Sequence, residues 1–239
     1  RPDIHQTSLC VMARSGRSIL KRKDADVHVD RNAFDAHQFF DGQAVAGTSG
    51  NTGVVNNPAT GQQTGSVALA SVGEVDIAVA AAKEAFETWG KSSISNRTKL
   101  MFKLRNLVDE NADALAAAVS SEHGKVHSDA LGEVARGIDN IEYACNIGEL
   151  MRGGHSNQVA TGIDVTTVRR PLGVVAGITP FNFPAMVPLW MIPNAIATGN
   201  TFILKPSEKD PSVALLFAEL IAEAGFPPGV FNVVNGDKV

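Results

Sequence analysis

Leu172-Gly173-Val174-Val175-Ala176-Gly177-Ile178 is a continuous apolar run, the pattern of a strand covered on both faces. Residues 185–198 follow as an apolar helix and 200–205 as a second buried strand. Residues 211–224 read as an amphipathic helix stopped by Gly225, and 230–234 as a third strand. Strand, helix, strand, helix, strand at this spacing is the grammar of a parallel, doubly wound sheet, which sets the class as α/β.

Upstream, the text changes to short strands and then helices. Phe39-Phe40-Asp41-Gly42-Gln43 reads as a strand ending in an Asp-Gly turn. Residues 54–61 give a strand running into a Pro/Gly turn, and residues 65–70 alternate again. Ser71 with Glu74 three residues on forms a capping box. Behind it Val75, Ala78, Val79, Ala82, Phe86 and Trp89 recur at helical spacing until Gly90. A second helix is expected over residues 98–119, with a kink at 109–113, and a third over residues 128–150. Cys145 lies in the inward stripe of the third, as a small hydrophobe. Residues 163–169 show strand alternation.

Composition bounds the function classes. The chain has 239 residues, 44% hydrophobic and 19% charged, an ordinary globular balance. A net charge of −4 and pI near 5.9 offer no general basic face for nucleic acid. No apolar run approaches the ~18 residues a membrane span needs. Two cysteines cannot build a disulfide framework, so a reducing compartment is the default. Residues 1–33 stand apart: up to Lys23 six basic residues face Asp3 alone. Arg14 to Lys23 partly fits a mitochondrial presequence, but a disordered or non-native tail fits the following acids better. Arg1 rather than Met opens the chain and Val239 follows shortly after a strand, so both ends read as cut.

Ligands of open parallel sheets bind beyond the carboxyl ends of the strands, which directs attention to two junctions. The first is Thr179-Pro180-Phe181-Asn182-Phe183-Pro184. Two prolines bracket Asn182, so its amide can be held as a donor to developing negative charge on a carbonyl oxygen; equally, Asn182 can be a helix cap. The second is Lys205-Pro206-Ser207-Glu208-Lys209. There Glu208 can accept from ribose hydroxyls and Lys205 can donate to a ribose oxygen or attract phosphate, or the two can be a solvated surface pair. No Gly-x-Gly-x-x-Gly occurs. The six histidines are scattered, and no metal site is expected. Arg136 has no evident partner, and solvation is its ordinary fate.

At these junctions the sequence resembles a known family. Pro180-Phe181-Asn182-Phe183-Pro184 and Gly199-Asn200-Thr201-Phe202-Ile203-Leu204-Lys205-Pro206-Ser207-Glu208 are similar to the aldehyde dehydrogenase superfamily. Phe181, where most members carry Trp, resembles the CoA-acylating methylmalonate-semialdehyde dehydrogenases. So do the flanking 170–178 and Phe231-Asn232-Val233-Val234-Asn235-Gly236. Asn57-Pro58-Ala59-Thr60-Gly61, Glu122-His123-Gly124-Lys125 and 131–137 agree. The likeness runs from about Phe39 to Val239.

The resemblance implies an aldehyde-dehydrogenase-like α/β fold: an N-terminal helical segment and the first half of a Rossmann-type NAD-binding sheet. It divides the chain into 34–155 as the N-terminal part of the NAD-binding domain, 156–170 as an oligomerisation arm and 171–239 as the half-sheet. By it Asn182 becomes the oxyanion-hole amide. Ile178, Thr179, Pro180 and Phe181 line the nicotinamide nucleotide. Lys205, Ser207, Glu208 and Lys209 hold the adenosine end, with Glu208 favouring NAD over NADP. Arg136 becomes the candidate for the substrate carboxylate. The implied reaction is oxidation of methylmalonate or malonate semialdehyde with NAD, the acyl group passing to CoA as co-substrate with loss of carbon dioxide.

The implied partners are the small-molecule semialdehyde and identical subunits, a tetramer in the family. The compartment is bacterial cytoplasm, or alternatively the mitochondrial matrix. Neither Cys10 nor Cys145 stands in a nucleophile context, so the nucleophilic Cys is expected beyond Val239 and this chain alone is expected to be inactive. Two other readings are a hydrolytic NAD(P)-dependent semialdehyde dehydrogenase and a short non-catalytic nucleotide-binding or interaction module.

Overall fold

The computed structural model describes residues 20–23, 26–29 and 34–238. Strands β1 (Leu20–Lys23) and β2 (Asp26–Val29) pair antiparallel. The rest of the expectation for residues 1–33, and that for Cys10, lies outside the described residues. Next come β3 (Phe34–Ala36), β4 (Gln38–Phe40) and β5 (Gln43–Val45). The β4–β5 hairpin turns through Asp41 at φ 54° and Gly42 at φ 75°, the left-handed pair that an Asp-Gly hairpin requires. Strands β6 (Thr52–Asn56) and β7 (Gln63–Ala68) join β3 in a three-stranded sheet, in the order β3-β7-β6.

The helical layer begins at the capping box. Ser71 Oγ accepts from Glu74 N at 3.3 Å, and the Glu74 carboxylate accepts from Ser71 N at 2.9 Å. These bonds start α1 (Val72–Trp89). The expected second helix is two helices, α2 (Ile94–Glu110) and α3 (Ala112–His123). Ser93 caps the first, which therefore starts before Thr98. Asn111, at φ −106° and ψ 14°, breaks the run inside the stretch where a kink was expected. The expected third helix is likewise divided at Asn146, into α4 (His127–Cys145) and α5 (Ile147–Leu150). Strand alternation near 163–169 resolves as a hairpin of β8 (His155–Ala160) and β9 (Ile163–Thr166), exposed along both strands.

The last third follows the expected order: β10 (Val174–Ile178), α6 (Met186–Ala197), β11 (Thr201–Lys205), α7 (Ser212–Ala224) and β12 (Phe231–Val233). These three strands are parallel, and β4 adds antiparallel to β12, giving the five-stranded order β10-β11-β12-β4-β5. The sheet is therefore mixed. Gln38 fastens the join: its Oε1 accepts from Asn235 N at 2.6 Å and its Nε2 donates to Ala68 O at 2.8 Å.

One expectation is corrected. The run 172–178 is not covered on both faces, because β10 forms the edge of the sheet and its flank has no neighbouring strand among the described residues. Ile178 is 78% exposed and Leu172 90%. The strand one place inward, β11, meets the doubly buried pattern, with Phe202, Ile203 and Leu204 all buried. Core packing is dense where α4 crosses α6: a Cβ on Gly137 would lie 2.4 Å from Leu189 Cδ1 and 3.2 Å from its Cβ. Among the described residues no helix is long and apolar enough to cross a membrane, and no three His, Cys, Asp or Glu side chains gather as a metal site.

Candidate nucleotide and aldehyde site

The parallel register sets Ile178 directly opposite Lys205, so the two junctions emerge side by side at the carboxyl ends of β10 and β11. Thr179 N donates to Lys205 O at 3.1 Å, which continues the ladder one residue past the strands. Thr179 and Ser207 are buried, while Phe181 stands half exposed. Lys209 Nζ lies over the Phe181 ring, 4.5 Å from its centroid. Ile178, Thr179, Pro180, Phe181, Lys205, Ser207, Glu208 and Lys209 are thus one neighbourhood.

Within it Lys205 Nζ donates to Glu208 Oε2 at 3.3 Å. Lys209 N donates to Ser207 Oγ at 3.0 Å, which tightens the turn. Glu208 is held below the ordinary carboxylate range by its own backbone N–H, against partial burial, with further help from Lys205 and Lys209. It is therefore a charged acceptor that solvent can still reach. Such a carboxylate suits a pair of sugar hydroxyls, which donate. It repels a phosphate on the same sugar.

Asn182 occupies the loop between β10 and α6. The capping alternative for it does not hold, because α6 takes its cap from another helix. Glu133 Oε1, on α4, accepts from Ala185 N at 2.8 Å and from Met186 N at 3.1 Å. Its Oε2 accepts from Lys125 Nζ. Lys125 also donates to Asn182 O at 2.8 Å and sits 3.9 Å from the centroid of the Phe183 ring. A second carboxyl plays the same part for α7: Glu122 accepts from Ser212 N at 3.1 Å and from the Ser212 hydroxyl. Burial pushes Glu122 up to about 7, against its bonds to Ser212 and with a push from Asp210. Burial also pushes Asp210 up to about 7; the Ser207 hydroxyl opposes this, and Glu133 and Glu208 add to it.

Arg136 sits near the middle of α4. It lies one turn beyond Glu133 and is exposed, and among the described residues its guanidinium carries no ion pair. Cys145 is buried, and burial pushes its thiol up to about 11; a thiol so held is a packing group, not a nucleophile.

The family model described as the aldehyde dehydrogenase family matches residues 45–239. The chain belongs to the aldehyde dehydrogenase family. Among curated relatives it is 54% identical over 198 residues to "Malonate-semialdehyde dehydrogenase 3" of Geobacillus kaustophilus, covering 83% of this chain and 41% of that protein. It is 49% identical over 202 residues to the malonate-semialdehyde dehydrogenase of Pseudomonas aeruginosa, covering 84% and 40%. The chain thus spans about two fifths of the length of the curated relatives it matches.

Among solved structures, the methylmalonate-semialdehyde dehydrogenase of Oceanimonas doudoroffii superposes with a TM-score of 0.84 at 49% identity, covering 85% of this chain and 42% of that one. A Sinorhizobium meliloti protein solved with NAD, described as a methylmalonate-semialdehyde dehydrogenase, gives 0.85 at 46% identity, covering 86% and 42%.

As a member of the aldehyde dehydrogenase family, the chain shows site residues that the sequence reading named no role for: Glu122, Lys125, Glu133 and Asp210. Glu133 left one legible signal. It falls on the inward stripe of α4 beside Ala130, Val134, Gly137, Ile138 and Ile141, where a carboxylate requires a partner.

Proposed function

We propose that this chain supplies the nucleotide-ribose site and the carbonyl-oxygen donor of an NAD-dependent, CoA-acylating semialdehyde dehydrogenase. The substrate class is malonate or methylmalonate semialdehyde, oxidised to acetyl-CoA or propanoyl-CoA with loss of carbon dioxide. The observation that carries this reading is the Lys205–Glu208 pair standing beside the Phe181-Asn182 loop on adjacent strand ends. The names of the relatives supply the substrate class.

The residues present fit NAD: a charged, reachable carboxylate, a neighbouring ammonium and a half-exposed aromatic face at one strand edge. Glu208 and Lys205 would hold the adenosine ribose, while Thr179, Pro180 and Phe181 would line the nicotinamide half. Bound NAD supplies the hydride acceptor. The Asn182 carboxamide donates to the aldehyde oxygen as negative charge grows there. Arg136 offers its unpaired charge to the substrate carboxylate. Cys145, buried with its thiol pushed up, is not the nucleophile this reading requires. Residues 156–170, exposed on both faces, serve subunit association in a homotetramer, and bacterial cytoplasm is the compartment.

The test is NADH formation by the natural protein with malonate semialdehyde, with and without CoA. Dependence on both NAD and CoA, with acetyl-CoA as product, is the expected result. NADH formed at a rate indifferent to CoA would indicate the hydrolytic reaction instead. NAD binding with no NADH formed would indicate a non-catalytic nucleotide module.

A further inference from the structure

We infer that Lys125 and Glu133 are positioning residues that fix the Asn182 backbone so that its carboxamide is aimed before substrate arrives. The inference deepens the functional reading above and rests on it.

The argument starts from the loop's own chemistry. Ala185 precedes α6 and has no capping side chain, so the first amides of the helix lack a local acceptor. Glu133 supplies one from across the helix interface, with a carboxylate whose side chain is only 2% exposed. A carboxylate so buried needs a cation, and Lys125, itself 15% exposed, provides it. The ammonium then spends a second proton on Asn182 O and its charge on the Phe183 ring. Two side chains therefore grip the backbone at 182, 185 and 186 and the ring at 183.

Nothing in this grip touches the Asn182 carboxamide, which takes no hydrogen bond among the described residues. A loop held at its backbone while its one amide side chain stays unspent is arranged for donation to a ligand. Pre-orientation of a donor is where such a group gains its effect on rate, because no reorganisation is left for the reaction to drive.

The experiment compares Lys125→Met, Lys125→Arg, Asn182→Ala and the Lys125→Met/Asn182→Ala double variant in the natural protein. Steady-state kinetics with malonate semialdehyde, NAD and CoA are read beside NAD affinity and backbone hydrogen exchange. Lys125→Met is expected to lower kcat about 10- to 100-fold, within the loss that follows removal of one oxyanion donor. KM and NAD affinity stay within about twofold. Lys125→Arg recovers most of the rate, and the double variant is no slower than Asn182→Ala. Exchange at Ala185 and Met186 speeds up in Lys125→Met, while Ser212, at the start of α7, is unchanged.

Losses that multiply in the double variant, or a loss confined to KM, would overturn the inference. So would an active enzyme whose exchange at Ala185 and Met186 is indifferent to Lys125. A wild-type protein that forms no NADH brings down the functional reading and the catalytic role together. Hydrogen exchange then separately decides whether the grip on the loop is real.

Discussion

Lys209 Nζ stands 4.5 Å from the centroid of the Phe181 ring, so a cation from the turn after β11 closes over the aromatic face of the turn after β10. The contact ties together two loops that each carry part of the proposed nucleotide surface. A cation over an exposed phenyl ring contributes about 0.5–1 kcal/mol. Phe181→Leu is therefore expected to weaken NAD about two- to fivefold in a fluorescence titration. Lys209→Ala should match it, and the double variant should be no weaker than either.

On the proposed reading, Glu208 sets the choice of nucleotide. Glu208→Gln keeps an acceptor for a sugar hydroxyl but removes the charge that repels a phosphate on that sugar. The ratio of NAD to NADP affinity should fall roughly tenfold, chiefly through tighter NADP, since like-charge opposition is what the carboxylate contributes to discrimination. Equal loss for both nucleotides would show that Glu208 only supports the turn.

The start of α7 should be sensitive to pH. Burial raises Glu122 from 4.5 to about 7, so between those values the folded chain keeps a proton that the unfolded chain has released. That contribution to stability is complete below about 4.5, falls as pH rises through the window, and is gone above about 7. Asp210, raised from 3.8 to about 7, acts in the same direction. Glu122→Gln leaves an acceptor for Ser212 and removes the charge. It should raise the melting midpoint at pH 8 by roughly 3–6 °C and change little at pH 5. A thermal series over pH 5–8 on both proteins checks this.

Gly137 on α4 packs directly against Leu189 on α6. Gly137→Ala would drive a methyl into Leu189, which is only 1% exposed and has nowhere to swing. Overpacking of this kind costs about 1–3 kcal/mol. The melting midpoint should drop by roughly 4–8 °C, with a partial recovery in Gly137→Ala/Leu189→Val.

What the sequence disclosed and what it hid divide along the range of the interactions. The Ser71–Glu74 box, the Asp41-Gly42 turn and the β10-to-β12 alternation are local patterns, and each stands where the residues put it. Glu133 capping α6 spans 52 residues, and Gln38 binding Asn235 spans 197; no period or spacing encodes either. The run at 172–178 is apolar enough for an interior strand, but apolarity does not state which strand ends a sheet, so its exposure was not legible. For Asn182 the residues allowed donor and cap alike. The carboxylate that decides against the cap sits on a helix far away in the chain.

The two carboxyls at the starts of α6 and α7 have one more consequence. A helix N-terminus at the end of a parallel strand is ordinarily a seat for phosphate, because its open amides and dipole attract an anion. Here Glu133 and Glu122 already occupy both seats from within the protein. On the proposed reading, a dinucleotide settling on these strand ends would meet acids where its diphosphate would otherwise dock, and this half of the sheet would read it by its sugars.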